Sequence, residues 1–300
     1  MGQNYFAIVN PAAGGGRSRK LLGPALERLR AGGIAVEVAD TRVPGEATRI
    51  AHDAYQRGVR NFIAVGGDGT SYEVVNGLYP QALTGGRPTL AFLPLGTGNS
   101  FLRDFSDRVV DHALESLLAG RSRVCDVMRL RHRAGVIHYI NLLSMGFSAD
   151  VATLRARRFS GWGELGYLTS IFLTLARFKR RPFPVRVEGQ AEFDCRHCLF
   201  LTFSNSKFTG GTMMIAPKAE IDDGLVEYVR WGPIGRLGLI RNLPTLYDGT
   251  HIQHPLAERK AVPRVEFNLD APIDVMVDGE VLTLHCEELD VLPGVLNVVA

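Results

Sequence analysis

Three hundred residues are more than one hydrophobic core usually fills, so two domains are expected. An apolar fraction of 46% beside 22% charged residues describes an ordinary globular chain and excludes a disordered or fibrous one. The net charge of +3 does not by itself argue for nucleic acid, because a binding face would need its charges clustered.

The stretch from Met1 to Val9 is briefly apolar and runs straight into Asn10-Pro11, with no basic region before a long apolar core, so a secretory signal is not expected. Phe6 stands where a myristoylation signal wants Ser or Thr. Tyr5 to Val9 reads as a buried strand. From Arg17 to Arg30, Leu21, Leu22, Ala25, Leu26 and Leu29 recur at helical spacing. Ile34 to Ala39 reads as a strand, Thr48 to Arg57 as a helix, and Phe62 to Val65 as a third strand. A helix from about Ser71 to Leu78, a strand Thr89 to Leu93 and a helix Asp107 to Leu118 complete the first half. Strands alternating with helices predict a parallel sheet covered on both faces. Ligands of such sheets sit beyond the carboxyl ends of the strands, where the glycine-rich turns fall here.

The second half changes character. From about Asp126 to Leu143, and again from Val185 onward, short strands and turns dominate: Val185 to Val187, Leu199 to Phe203, Leu225 to Arg230, Val265 to Leu269, Ile273 to Val277 and Val281 to His285. This pattern predicts an antiparallel β domain. Two helical stretches interrupt this pattern, of which Gly163 to Arg181 is strongly apolar. Its uncharged run, Leu165 to Ala176, falls short of the ~20 residues a bilayer span needs. Buried core and an interfacial role both remain open for it. The basic residues that bracket it (Arg155, Arg157 and Arg158, then Arg177, Lys179, Arg180 and Arg181) suit contact with anionic lipid. Cys195 and Cys198 flank His197, but a zinc site needs four ligands and Cys125 and Cys286 lie far off in sequence, so reduced, inert thiols are expected.

The strongest chemical signal is Gly66-Gly67-Asp68-Gly69-Thr70, between a strand and a helix. Glycines let the backbone turn tightly beside a phosphate, and the amides of the following helix N-terminus face the anion. Asp68 would repel a phosphate and makes sense as a partner of Mg²⁺ or of an ordered water. A plain glycine turn with an Asp cap is the bland alternative. Three further elements agree with the functional reading: Asn10 to Gly16, Pro94 to Asn99, and the turn Val277-Asp278-Gly279-Glu280, which presents two carboxylates.

Taken in order, these residues resemble the diacylglycerol kinase catalytic family, shared by bacterial lipid kinases, diacylglycerol kinases, sphingosine kinases and ceramide kinases. The resemblance runs from Asn10-Pro11 through Gly66 to Thr70, Glu73-Val74-Val75-Asn76-Gly77 and Leu95 to Asn99. It continues through Gly146 to Asp150, Gly210 to Pro217, Asp222-Asp223-Gly224 and Asp278-Gly279-Glu280. It implies a Rossmann-like α/β domain, similar to NAD kinase and phosphofructokinase, over residues 1–127, with a C-terminal strand at 287–300 returning to it. A β-rich lipid domain would occupy 128–286. By position the nucleotide would touch Asn10, Thr41, Gly66, Gly67, Asp68, Gly69, Thr70, Ser71, Tyr72 and Thr97. Glu280 matches a general base, and Asp68 is a second catalytic position. Glu220, Asp223 and Leu225 match a metal loop, and Asp150 an acidic position that contacts the substrate's polar head.

The activity implied is Mg²⁺-dependent transfer of phosphate from ATP to a lipid hydroxyl, by a cytoplasmic enzyme peripheral at an anionic membrane, with no transmembrane segment and no nucleic-acid partner. A homodimer is compatible with the sequence. Two departures stand out: Ser100 replaces an Asp that many bacterial relatives carry, with Asp104 one helical turn on as a candidate substitute, and Tyr72 stands where relatives often have Asn. The alternatives are an NAD kinase-like or other small-molecule kinase, and a non-catalytic nucleotide-binding relative.

Overall fold

The computed structural model describes residues 4–96, 99–159, 163–176 and 180–300. They divide into two compact units, residues 1–127, 138–140 and 292–300 in the first and residues 128–137 and 141–291 in the second.

Unit 1 begins with β1 (Asn4–Val9), followed by α1 (Arg17–Ala31), β2 (Ala35–Asp40), α2 (Glu46–Gln56), β3 (Asn61–Val65) and α3 (Asp68–Leu78). Next come the single turn α4 (Ala82–Gly85), β4 (Thr89–Leu93) and α5 (Val109–Ala119). The strands lie in the order β2-β1-β3-β4, all parallel, as the alternation predicts. In β3 and β4 every residue but the first is buried, the signature of strands covered on both faces. On one face Val9, Ile63, Val65 and Leu93 pack with Leu29 of α1 and Leu114 and Leu117 of α5. Each such side chain contributes about 1.5–3 kcal/mol by leaving water. Elsewhere in the unit α2 and α3 meet closely at Gly77, where a β-carbon would fall 2.3 Å from the Thr48 carbonyl oxygen and 2.7 Å from Ala51 Cβ. Only a glycine lets the two helix backbones approach that far.

The chain continues into β5 (Arg123–His132), β6 (Gly135–Tyr139), β7 (Leu142–Gly146), α6 (Phe147–Arg158) and α7 (Gly163–Ala176). Then follow β8 (Arg181–Pro182), β9 (Val185–Val187), β10 (His197–Cys198), β11 (Phe200–Ser204), β12 (Phe208–Thr209), β13 (Met213–Met214) and β14 (Val226–Trp231). Two short helices, α8 (Arg236–Asn242) and α9 (Thr245–Asp248), precede β15 (Ala257–Val262), β16 (Arg264–Phe267), β17 (Ile273–Val277), β18 (Glu280–Leu284) and β19 (Cys286–Val299). Unit 2 contains the antiparallel sheet β15-β14-β11-β7-β17-β18. Phe200 and Trp231 stack edge to face in its core, with Leu142, Phe147, Val229 and Leu239. Within the same unit β5, β19, β16 and β9 carry alternating charges: Arg129 pairs with Asp290, Arg131 and Arg264 with Glu288, and Arg186 with Glu266. Cross-strand pairs of this kind favour one register over its neighbours. From residue 292 β19 belongs to unit 1, where Asn297–Val299 run parallel to Thr89–Ala91 of β4.

Two expectations need correction. Arg181, the expected end of the apolar helix Gly163–Ala176, lies on a strand. The helix's buried positions include small and polar residues, Gly166, Ser170 and Thr174, besides Leu175, whereas Leu173 is exposed. Trp162, Arg177 and Lys179, which carried part of the interfacial reading, lie outside the described residues. Helices α8 and α9 interrupt the stretch from Val185 onward that the sequence presents as strands and turns, whereas α6 falls between the two strand-rich stretches.

Candidate functional site

In unit 1 the ends of the parallel strands are tied into one row by main-chain hydrogen bonds. The amide of Thr41 donates to Val9, that of Asn10 to Val65, that of Gly66 to Leu93, and that of Gly96 to Gly66, at 2.8, 2.9, 3.1 and 2.9 Å. Asn10, Thr41 and the Gly66 loop, named separately in the sequence, therefore stand along one sheet edge. Thr97 lies outside the described residues. The two glycine loops touch: a β-carbon on Gly96 would fall 2.7 Å from the Gly67 nitrogen.

Asn10 uses its side chain locally, accepting the Ala12 amide at 3.0 Å, and its carbonyl accepts the Ser18 hydroxyl. Gly14, Gly15 and Gly16 follow in the left-handed region, at φ 62, 67 and 86°, and lead into α1. Gly67 caps α3, which starts at Asp68, three residues before the predicted Ser71. Thr70 is buried with its hydroxyl beside Gly66, leaving no room there for a β-carbon. Ser71 and Tyr72 are half-buried on the same first turns.

Asp68 is not the open carboxylate the sequence suggests. Both of its oxygens accept the Ser100 amide at 3.1 Å. The residue is half-buried, and desolvation of its carboxylate lifts the pKa from 3.8 to about 6, against the opposing pull of hydrogen bonds from the Ser100 amide and hydroxyl and the Phe101 amide. Ser100 is thus the residue that holds Asp68, and through it the third-strand loop is anchored to the fourth.

Sequence reading also missed what Glu73 and Asn76 do. The Glu73 carboxylate accepts the amides of Gly45 and Ala47 at 2.8 and 3.0 Å, closing the N-terminus of α2 with the negative charge that a helix start favours. Asn76 grips His138 at both backbone groups, at 2.8 and 2.9 Å. Their partners lie so far off in sequence that no local pattern announces them.

In unit 2 the Asp278-Gly279 pair closes the β17–β18 hairpin with both residues at positive φ, 46 and 88°. Positive φ at both central positions is what a type I′ turn requires. Asp278 is buried, and its carboxylate accepts the amides of Asn141 and Leu142 at 3.0 and 2.9 Å, while its own amide donates to Leu142. Asn141 in turn accepts the Asn205 amide and the Ser206 hydroxyl. Glu280, the next residue but one, is the exposed first residue of β18. So the two carboxylates of this turn differ: one anchors backbone, the other faces outward.

Asp150, in the first turn of α6, forms an ion pair with Arg181, whose Nη2 lies 2.6 Å from both oxygens. Glu220 and Asp223 are exposed, and one Asp223 oxygen accepts the Leu225 amide at 2.9 Å. Among the described residues no three His, Cys, Asp or Glu side chains converge on a metal position. Carboxylate and carbonyl oxygens on an exposed turn nonetheless fit a hard cation that keeps several of its waters. Arg259 stands close enough to feel Asp223, but its guanidinium is held first by buried Glu227, at 2.5 and 2.6 Å. Cys195 is exposed, whereas Cys198 is buried and its thiol is pushed up to about 12 by desolvation.

Residues 4–130 match the diacylglycerol kinase catalytic domain, and residues 141–300 match the YegS C-terminal NAD kinase beta sandwich-like domain. A diacylglycerol kinase of Mycobacterium tuberculosis is 26% identical over 97% of this chain and 93% of its own length. A diacylglycerol kinase of Bacillus subtilis is 28% identical over 91% and 88%, and a Salmonella arizonae protein named probable lipid kinase YegS is 29% identical over 91% and 89%. A solved diacylglycerol kinase structure from Bacillus anthracis superposes at a TM-score of 0.71, with 20% identity over 99% of this chain and 96% of that one. At that identity the likeness speaks for the fold. Among the described residues, no helix is long and apolar enough to cross a membrane.

Proposed function

The chain belongs to the family that joins a diacylglycerol kinase catalytic domain to a YegS-type, NAD kinase-like β-sandwich, and on that premise we propose that it transfers the γ-phosphate of ATP to a hydroxyl group of a lipid, with Mg²⁺. The observation that carries this reading is the row formed by Thr41, Asn10, Gly66 and Gly96 at the carboxyl edge of the parallel sheet. Backbone amides and a helix N-terminus at such an edge suit a polyphosphate, because they lend partial positive charge and need no side chain to move. The names of the relatives supply the lipid half of the reading.

Phosphoryl transfer asks for position, charge neutralisation and a proton acceptor. The Gly66–Tyr72 segment positions the phosphates, and Asp68 keeps that segment in register with the fourth-strand loop by holding Ser100. Glu280 accepts the proton of the lipid hydroxyl as the new P–O bond forms. An exposed carboxylate is too weak to ionise an alkanol beforehand, so proton and bond move together. Asp150 meets the polar part of the acceptor, which must share or displace Arg181. Magnesium, when bound, supplies positive charge, and the Asp223 carboxylate with the Glu220 and Leu225 carbonyls would hold it. Diacylglycerol, a ceramide or sphingoid base, and related lipid alcohols all offer the hydroxyl that this chemistry needs. Such an enzyme serves phospholipid metabolism from the cytoplasmic face of the membrane.

Incubating the protein with γ-labelled ATP, Mg²⁺ and either a total lipid extract, diacylglycerol or NAD tests the reading. Label in the organic phase is the expected result. Label on NAD, or none on any acceptor, overturns it.

A further inference from the structure

Exposed apolar side chains among the described residues are mostly scattered, but two of them, Leu237 and Ile240, lie three residues apart on α8, and the next helix, α9, carries a third, Tyr247. Leu237 is 83% exposed, the highest value among the large apolar side chains of the described residues, and Ile240 and Tyr247 are each 47% exposed. These helices do not lack a buried face. Leu239 and Leu246 already pack into the unit 2 core beside Trp231 and Ile234, with Leu243 partly buried against them. Leu237 and Ile240 therefore lie outside what the fold uses. A solvated surface helix places polar residues at such positions.

Three basic residues and one acid stand beside this apolar surface. Arg236 and Arg241 are exposed at the two ends of α8, and among the described residues neither has an ion-pair partner. Arg180 joins them: its guanidinium lies 3.9 Å from where a β-carbon on Gly235 would be, beside the helix start. The acid nearby in sequence, Asp248, is occupied locally, accepting the amide and hydroxyl of Thr250 at 2.9 and 2.6 Å.

We propose that the outer face of α8 and α9 docks on an anionic lipid bilayer, with Leu237, Ile240 and Tyr247 entering the headgroup–acyl boundary and Arg236, Arg241 and Arg180 facing the lipid phosphates. Apolar residues on a short helix set among basic ones are the composition of an interfacial anchor. Tyrosine favours that depth, because its ring is apolar and its hydroxyl stays wet. It shares Arg180 with the basic residues that bracket the helix at Gly163, where Arg181 is paired with Asp150 and Arg157 lies 3.8 Å from Asp274. The proposal rests on the lipid kinase reading for its motive, but its test does not depend on it.

The test is co-sedimentation with phosphatidylcholine vesicles, with and without phosphatidylglycerol, at low and high salt. Wild type should prefer the anionic vesicles and lose the preference in high salt, because screening shortens the reach of the arginines. Leu237→Glu/Ile240→Glu should lower the partition coefficient by about tenfold or more. Arg236→Glu/Arg241→Glu should abolish the difference between the two vesicle types, each lost cation counting for roughly fivefold at low salt. Leu237→Ser/Ile240→Ser serves if the acidic pair does not fold, and both pairs should keep wild-type activity on a short-chain acceptor dispersed in detergent. Unchanged sedimentation of the folded variants overturns the proposal. So does a dimer in ultracentrifugation that the Leu237 variants split while vesicle binding stays constant, which makes the face a contact between copies. If no lipid accepts phosphate but the variants still lose vesicle binding, the docking surface stands and the kinase reading falls.

Discussion

The two units hold their chemistry-bearing residues in opposite ways. In unit 1 the candidate site is mostly backbone: amides at strand ends, glycines that nothing larger can replace, and side chains such as Asp68, Glu73 and Asn76 spent on fixing that backbone. In unit 2 most candidate groups are exposed carboxylates at or beside turns, Glu280, Glu220 and Asp223, with buried Asp278 as the anchor of one turn and Asp150 half-buried on α6. A site made of backbone cannot be altered without altering the fold. A site made of exposed side chains can lose its chemistry and keep its stability.

That contrast is sharpest at Glu280. Glu280→Gln should lower kcat by on the order of 10²-fold or more while ATP still binds, equal to about 2.7 kcal/mol on the barrier. Because the side chain is exposed, the melting temperature should stay within about 1 °C of wild type. Near-normal turnover in a folded variant removes the proton-accepting role.

Gly77→Ala should do the reverse. The added methyl meets the Thr48 carbonyl at 2.3 Å, which is backbone and cannot swing away, so α2 and α3 must part. A loss of about 1–3 kcal/mol is expected for such overpacking. A denaturation curve with an unchanged midpoint would show that these helices are not held as tightly as the glycine contact implies.

Asp68 tests the same contrast through pH. Its folded pKa of about 6 stands above the 3.8 of an exposed Asp, so the folded state keeps the proton that the unfolded chain has released. Its contribution is fully present below pH 3.8, is lost as pH rises through about 6, and above that ionised Asp68 is a net cost. Asp68→Asn should therefore gain about 2 kcal/mol of stability relative to wild type as pH rises from 4 to 7.5, on top of a pH-independent loss where the Ser100 contact is weakened. Activity should fall in the same variant. A stability difference that is flat across this range contradicts the desolvated carboxylate.

How much of this was legible follows from range along the chain. The parallel strands announce themselves as short, fully apolar runs, and the Asp278-Gly279 pair is a strong local hairpin signal. Glycine loops likewise mark the sheet edge. The partners of those residues are not legible. Nothing near Glu73 says that it closes a helix begun at residue 46, and nothing near Asp278 says that it binds Asn141 and Leu142. Asp68 was assigned outward chemistry because its acceptor role toward Ser100 needs the fourth-strand loop laid against the third. Helix α8 was missed because its outer face is apolar, which blurs the amphipathic period that identifies a helix.

The smallest expected effect, and the most direct probe of unit 2, is the metal loop. Asp223 spends one oxygen on the Leu225 amide, which shapes the turn on which its exposed carboxylate would meet a cation. With Glu220 exposed beside it and the field of Arg259 partly quenched by Glu227, the loop can bind a hydrated divalent ion only weakly. Stabilisation by a bound ligand follows its concentration over its Kd, so Mg²⁺ at about ten times Kd raises stability by about 1.4 kcal/mol. Wild type should therefore melt a few degrees higher in millimolar Mg²⁺ than in chelator, and Asp223→Ala should lose most of that increment together with activity. Asp222→Ala, which removes an equal charge one residue away, should keep the increment if the site depends on geometry. Loss in both variants reduces the effect to general screening of an acidic turn, and an equal Mg²⁺ response in wild type and Asp223→Ala removes the ion from this loop altogether.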